Sequence, residues 1–125
     1  MNALRRIHAA LVSGGIVIDT QPVSRRPPVV SNGSTLGSLD MRDWLATVAA
    51  VDGLVAQAVA GGLYAIESEQ RIFVTDTWDD GRELVETVSG WQGTRISSVL
   101  AARIADAAQP LSLEQEVRLR VLRAL

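Results

Sequence analysis

The spacing of apolar residues changes several times along the chain, and each change marks the end of one element and the start of another. Leu4, Ile7, Leu11 and Val12 recur at helical spacing with Arg5 and Arg6 on the other side, and Ser13-Gly14-Gly15 supplies a stop. The pattern predicts a short amphipathic helix. Ile16-Val17-Ile18-Asp19 follows at once, apolar at successive positions and rich in β-branched residues, which predicts a central strand of a sheet covered on both faces. From Gln21 to Asp40 the chain carries Pro22, Pro27 and Pro28, two glycines and several serines, so residues 21–40 read as a flexible loop. Beyond it, Asp40 is placed to cap a helix on which Trp44, Leu45, Val48, Val51, Val55, Ala58 and Val59 share one face until Gly61-Gly62 ends it.

Arg71 to Thr77 alternates, with Ile72 and Val74 opposite Phe73 and Thr75, and predicts a strand; Leu63 to Ile66 reads as a shorter strand before it. Asp80 with Glu83 three residues on forms a capping box for a helix carrying Leu84, Val85 and Val88, closed by Gly90. Ser97 opens a further helix with Leu100 and Ile104 inward and Arg103 outward, ending before Pro110. Glu116 to Arg123 alternates again, Val117, Leu119 and Val121 against Arg118 and Arg120, and predicts a closing strand. Helices and strands in this order predict an α/β protein.

Composition narrows the classes. At 125 residues, 47% apolar and 21% charged, the chain suits one domain, 1–125, with a single modest core. The net charge is -2, and the twelve basic residues, all arginine, lie singly or in pairs, which argues against nucleic acid as a partner. The absence of cysteine removes disulfides, thiolate metal sites and a cysteine nucleophile. With His8 as the sole histidine, no metal site is expected, and no nucleophile, base and orienting group can be assembled. No apolar run reaches the roughly 18 residues of a membrane span and no secretory pattern opens the chain, so a cytoplasmic protein away from the membrane is the expectation.

Ligands of open α/β sheets collect beyond the carboxyl ends of strands, which makes Asp19, Thr20 and Gln21 the candidate substrate-facing residues. Trp44, just after the long loop, joins them as a pocket-lining candidate. His8 shares a stripe with Leu4 and Leu11 and reads as a neutral imidazole with one hydrogen-bond partner. Trp78 and Trp91 lie near element ends and read as seals of the core edge. Of the acidic cluster Asp76, Asp79 and Asp80, helix capping accounts for Asp79 or Asp80, and Arg25-Arg26 reads as a solvated pair.

The stretch Ala3-Leu-Arg-Arg-Ile-His-Ala-Ala-Leu-Val-Ser-Gly-Gly-Ile-Val-Ile-Asp19 resembles the place in class I S-adenosylmethionine-dependent methyltransferases where a helix meets a Gly-Gly turn and the fifth strand, with Ser13 in place of the usual proline. The long helix, the next strand and the final strand follow that family's order. The resemblance implies a partial Rossmann-like methyltransferase sheet, fifth to seventh strands with the last antiparallel between the other two, and flanking helices. That family holds its cofactor through a glycine-rich loop and an acidic residue near its first two strands, neither of which this sequence contains. The resemblance therefore implies a methyltransferase-like C-terminal segment, a truncated product or one component of a pair. Such a segment binds no cofactor alone, takes S-adenosylmethionine only when completed by a partner or a missing N-terminal half, and has no assignable catalytic residue. The alternative is a small self-associating α+β binding or scaffold protein without catalysis; a small enzyme using a carboxylate such as Asp19 ranks third. The strand Ile16 to Asp19 has no fourth strand to pair with, and a bare apolar edge is a pairing template, which predicts a homodimer or a cofactor-bearing partner chain there.

Overall fold

The computed structural model describes residues 3–125. The elements are α1 (Ala3–Ala10), β1 (Ile16–Pro22), β2 (Pro28–Ser31), β3 (Ser34–Ser38), α2 (Arg42–Ala60), β4 (Tyr64–Trp78), α3 (Gly81–Ser89), α4 (Ser98–Ala105) and β5 (Leu111–Ala124).

β5 is the spine of the sheet. β4 lies antiparallel along one side of it for the whole length, from Tyr64 opposite Ala124 to Trp78 opposite Leu111. The other side is shared: β1 pairs with the C-terminal half, Ile16 opposite Arg123 to Pro22 opposite Val117, and β2 pairs with the N-terminal end. β3 extends the sheet outward from β2. The fold is α/β with an open five-stranded antiparallel sheet. The last strand does run antiparallel between the first strand and the strand after the long helix.

Two expectations need correction at this level. Residues 21–40 are not one loop, for they contain β2 and β3, joined by Asn32 and Gly33 with φ of 51° and 75°. A two-residue turn with both residues in the left-handed region matches the twist of flanking strands. Pro27 and Pro28 do not prevent this, because they sit at the start of β2 where a missing N–H is tolerated. Second, residues 64–66 of the shorter run and 71–77 belong to one strand, β4, with a register shift between Ile66 and Ser68. The bulge moves Ile66 and Ile72 to opposite faces, since Ile66 pairs with Leu122 and Ile72 with Val117.

Because side chains alternate along β5, its two halves bury opposite faces. Leu111 and Leu113 pack with Val29, Leu39, Leu84, Val88, Leu100 and Ile104, a core under α3 and α4. Leu122 and Ala124 point the other way and pack with Val55, Ala58 and Tyr64 beneath α2, with Leu4 and Leu11 of the α1 segment at the margin. Asp80 caps α3 by accepting from the Arg82 N–H at 2.9 Å, and Ser97 caps α4 by accepting from Leu100 at 3.1 Å. Asp40 stands one residue before the cap of α2, yet its carboxylate accepts the Arg42 N–H at 3.0 Å. The Arg42 guanidinium on the same carboxylate holds the Asp40 pKa down at about 2.

α2 is long and apolar enough to cross a membrane by length and composition. In the fold it lies on the sheet through Val48, Val55 and Ala58 and carries Asp52 into an ion cluster.

Candidate functional site

At the carboxyl end of β1 three elements converge on a pocket of about 480 Å³. Thr20, Gln21 and Pro22 come from β1, Met41 and Trp44 from the start of α2, and Gly90, Trp91, Gln92 and Thr94 from the connection between α3 and α4. Gln115 of β5 completes the lining. The α3–α4 connection is fastened to α2 through the backbone. Asp40 and Arg95 exchange hydrogen bonds of 2.9 and 2.8 Å, and the Trp44 N–H donates to the Gly93 carbonyl at 3.1 Å. Gly93 has φ of 74°, and a Cβ there would lie 2.6 Å from the Trp44 nitrogen, so the approach demands glycine. The Trp44 indole N–H donates to the Pro22 carbonyl at 3.1 Å and the Thr94 hydroxyl to the Met41 sulfur at 3.2 Å, which ties all three elements together.

The lining is uncharged: two tryptophans, Met41 and Pro22 provide apolar wall, and the polar groups are amides and threonine hydroxyls. Gln115 is only 8% exposed, and its Oε1 is buried with no hydrogen-bond partner. An unpaired buried acceptor costs about 1–3 kcal/mol.

Thr20, Gln21 and Trp44, three of the residues singled out from the sequence, line this pocket. Asp19 does not. Its side chain lies on the α2 face, which the Gln21 side chain shares by strand alternation; there the Arg120 Nη2 donates to its Oδ2 at 2.8 Å and the Gln21 amide to its Oδ1 at 2.9 Å, and Gln21, one step nearer the strand end, also borders the pocket. Arg118 forms a bidentate pair with Asp52 of α2, at 2.7 and 3.1 Å, and Arg120 reaches the same carboxylate at 2.9 Å. Both arginine side chains are buried, 9% and 8% exposed, and the Arg118 Nε has only Glu69 nearby, at 3.8 Å. The Arg118 hydrogen bonds hold the Asp52 carboxyl below the usual carboxylate range, against its partial burial, and the same bonds raise Arg118. This cluster locks β1, β5 and α2 together and is structural.

Trp91, Gln92, Thr94, Met41 and Gln115 were not singled out from the sequence for this site. Trp91 directly follows the glycine that ends α3, which placed it correctly at an element end but gave no sign of a cavity beside it. His8 meets the Leu125 carbonyl at 3.1 Å and packs edge-on to Tyr64. Among the described residues, no group of three or more histidine and carboxylate side chains is placed to hold a metal ion.

Beyond Gln115 the α3 side of the sheet has no helix over it. Residues opposite one another share a face, so Ile18 and Val121 stand in one row with Ser68, Thr20 and Leu119 with Gln70, and Pro22 and Val117 with Ile72. Ile16, Ile18, Ile72 and Val74 on this side are 45%, 60%, 42% and 37% exposed. The expectation of a strand covered on both faces is therefore corrected: Val17 packs under α2, while Ile16 and Ile18 are left open. No ionisable side chain interrupts the rows from Ile18 to Val74.

No protein family, curated sequence or solved structure matches this chain.

Proposed function

We propose that this chain is a self-associating binding protein without catalysis, pairing with a second copy through the uncovered aliphatic face of β1, β5 and β4. The observation that carries the reading is that face: Ile18, Leu119, Val121, Ile72 and Val74 lie on it together with Thr20, Ser68 and Gln70, and no ionisable side chain stands between the row of Ile18 and Val74. Neutrality favours a second copy as the occupant. A two-fold axis sets like residues against like, which a charged face resists and an uncharged one permits. The free edge of β4 is a poorer route, because it carries a bulge at Glu67 together with Glu69, Arg71 and Asp76. The uncharged pocket lining supports the non-catalytic half of the proposal, since it offers no acid, base or activated nucleophile.

The test is the mass in solution by light scattering. Wild type should rise from the 13.4 kDa of one chain toward twice that value with concentration, and Ile18→Glu should hold it at one chain. A wild-type protein that stays monomeric at millimolar concentration overturns the reading.

A second reading, a methyltransferase-like C-terminal segment completed by a cofactor-bearing half or partner, is favoured by one observation. β1 and β4 flank an antiparallel β5, the order expected of the fifth, seventh and sixth strands, with the pocket at the carboxyl end of β1. On either reading, calorimetric titration of this chain alone with S-adenosylmethionine should give no saturable heat. Micromolar binding would overturn both.

A further inference from the structure

We infer that the two copies stack face to face with their β5 strands antiparallel, so that the α3 and α4 end of each chain overhangs the bare end of its partner. This orientation rests on the reading that the chain pairs through its aliphatic face. Aligned sheets keep their strand directions within about 30° of one another and lie about 10 Å apart. A two-fold axis lying in such an interface leaves two arrangements, with β5 running over the partner's β5 either the same way or the opposite way.

Three features of the chain decide between them. The first is the helical cover. On this face α3 and α4 pack over Leu111 and Leu113, at one end of β5 only. A helix is about 10 Å across. If the two β5 strands ran the same way, both helical layers would meet at one end and hold the sheets apart by about twice their packing distance. Run the opposite way, each helical layer passes beyond the partner's row of Ile16, Arg123 and Ala65, at the far end of the sheet.

The second feature is Arg123, which ends the open rows and is 44% exposed. With like ends together, each β5 residue on the face meets its own copy across the axis, and Arg123 would face Arg123. With opposite ends together and the four open rows centred between Ile18 and Thr20, Arg123 comes over the partner's Val117 instead. Its guanidinium is answered within its own chain, by both carboxylate oxygens of Glu67 and by the Gly14 carbonyl.

The third feature is the polar pair on β4. Ser68 and Gln70 are exposed on this face, and among the described residues neither side chain has a hydrogen-bond partner. The antiparallel arrangement sets β4 over the partner's β4, with Ser68 above Gln70 and Gln70 above Ser68. A hydroxyl and an amide then meet twice, and a glutamine and a serine side chain together bridge sheets about 10 Å apart. The other arrangement sets Ser68 against the partner's Ile18 and leaves the hydroxyl unanswered. In the antiparallel dimer the partner's Ile16 also comes over Pro22, which places the pocket at the margin of the interface.

The chain has no cysteine, so a nitroxide on Gln109→Cys, an exposed position just before β5, marks one site per copy. The two-fold axis falls level with Arg120, and the start of β5 lies about 30 Å from it along the strand. Dipolar electron resonance should therefore read about 60 Å between labels. A distance under about 30 Å would mean like ends together, and one near 40 Å crossed sheets, and either overturns the orientation while self-association stands. Ser68→Ala and Gln70→Ala should each weaken the dimer at least fivefold, and the double variant should be no weaker than the worse of the two. A dimer joined through the β1 edge also holds the labels far apart, yet it leaves Ser68 and Gln70 in solvent. Unchanged affinity in both alanine variants therefore overturns the orientation as well. A chain that stays monomeric at millimolar concentration removes self-association and this arrangement with it.

Discussion

Asp19 and Thr20 are neighbours in sequence with opposite surroundings, and the difference is a single step of strand alternation. Asp19 faces Arg120 at 2.8 Å with its side chain 13% exposed, so its removal leaves a buried guanidinium short of a counter-charge. Asp19→Ala is expected to destabilise the fold by about 3 kcal/mol. Replacing both partners, Asp19→Leu with Arg120→Met, should cost less than the single change, and urea titration of the two variants measures the contrast. Asp52 answers to pH. Its carboxyl is held below its ordinary range by Arg118, so its stabilisation is whole above the unfolded value of about 4 and fades as pH falls through the lower folded one. The melting-temperature gap between wild type and Asp52→Asn should thus be widest near pH 6 and close toward pH 2, and a gap that widens on acidification contradicts the cluster's role. The site was partly legible at this scale. The rule that ligands gather beyond strand ends pointed to Thr20, Gln21 and Trp44. It could not exclude Asp19 without knowing which face α2 covers. Gln115 was hidden in the polar run Glu114-Gln115-Glu116, because its burial arises only when β4 pairs beside it and the end of β1, the start of α2 and the α3–α4 connection close around it.

Whole elements were easier to read where a terminus carried its own chemistry. Asp80, Ser97 and the Gly61-Gly62 pair stand where helix starts and stops were expected, each a local hydrogen-bonding device that needs no tertiary contact. Asp80→Ala should cost about 1 kcal/mol and loosen α3, whose Leu84 and Val88 are wholly buried; thermal denaturation checks the value. The β2–β3 hairpin was missed although its signal was present: Val29-Val30-Ser31 and Ser34-Thr35 flank Asn32-Gly33, a strong two-residue turn. The prolines do not oppose it, since Pro27 precedes the strand and Pro28 is its first residue. β4 misled for another reason, as its bulge breaks the alternation and makes one strand look like two. The α3–α4 connection has no regular structure and depends on Gly93 instead. Gly93→Ala combines a left-handed φ with a Cβ placed 2.6 Å from the Trp44 nitrogen, and should cost about 2 kcal/mol or more. Because the same segment carries Trp91, its fluorescence should shift to the red as the pocket wall detaches.

Across the whole molecule the sheet is covered unevenly, with α3 and α4 over one end of one face and α2 over the other end of the opposite face. The open aliphatic rows are a consequence of that offset. Two routes to association follow from it, through the face or through the outer edge of β1, and they have separable signatures. The Val23 N–H donates to the Glu116 carbonyl at 2.9 Å, so residues of the same parity in β1, including Gln21, Asp19 and Val17, bond inward to β5. The backbone of Ile18 and Thr20 then points to the outer edge. Thr20→Pro removes an outward donor and leaves Ile18, Leu119 and Val121 in place. A dimer joined through the face should survive that change and fail with Ile18→Glu, whereas an edge-joined dimer should fail with both. Salt provides an independent discriminator. An interface without charge has no Coulomb attraction to screen, and excluded salts such as sulfate strengthen apolar burial. The dissociation constant from sedimentation should hold or tighten between 0.05 and 0.5 M sodium sulfate, on the order of severalfold, and loosen on cooling from 25 to 4 °C. Loosening by tenfold over the same salt range would place the contact on the charged edge of β4, among Glu67, Glu69 and Arg71, and not on the aliphatic face.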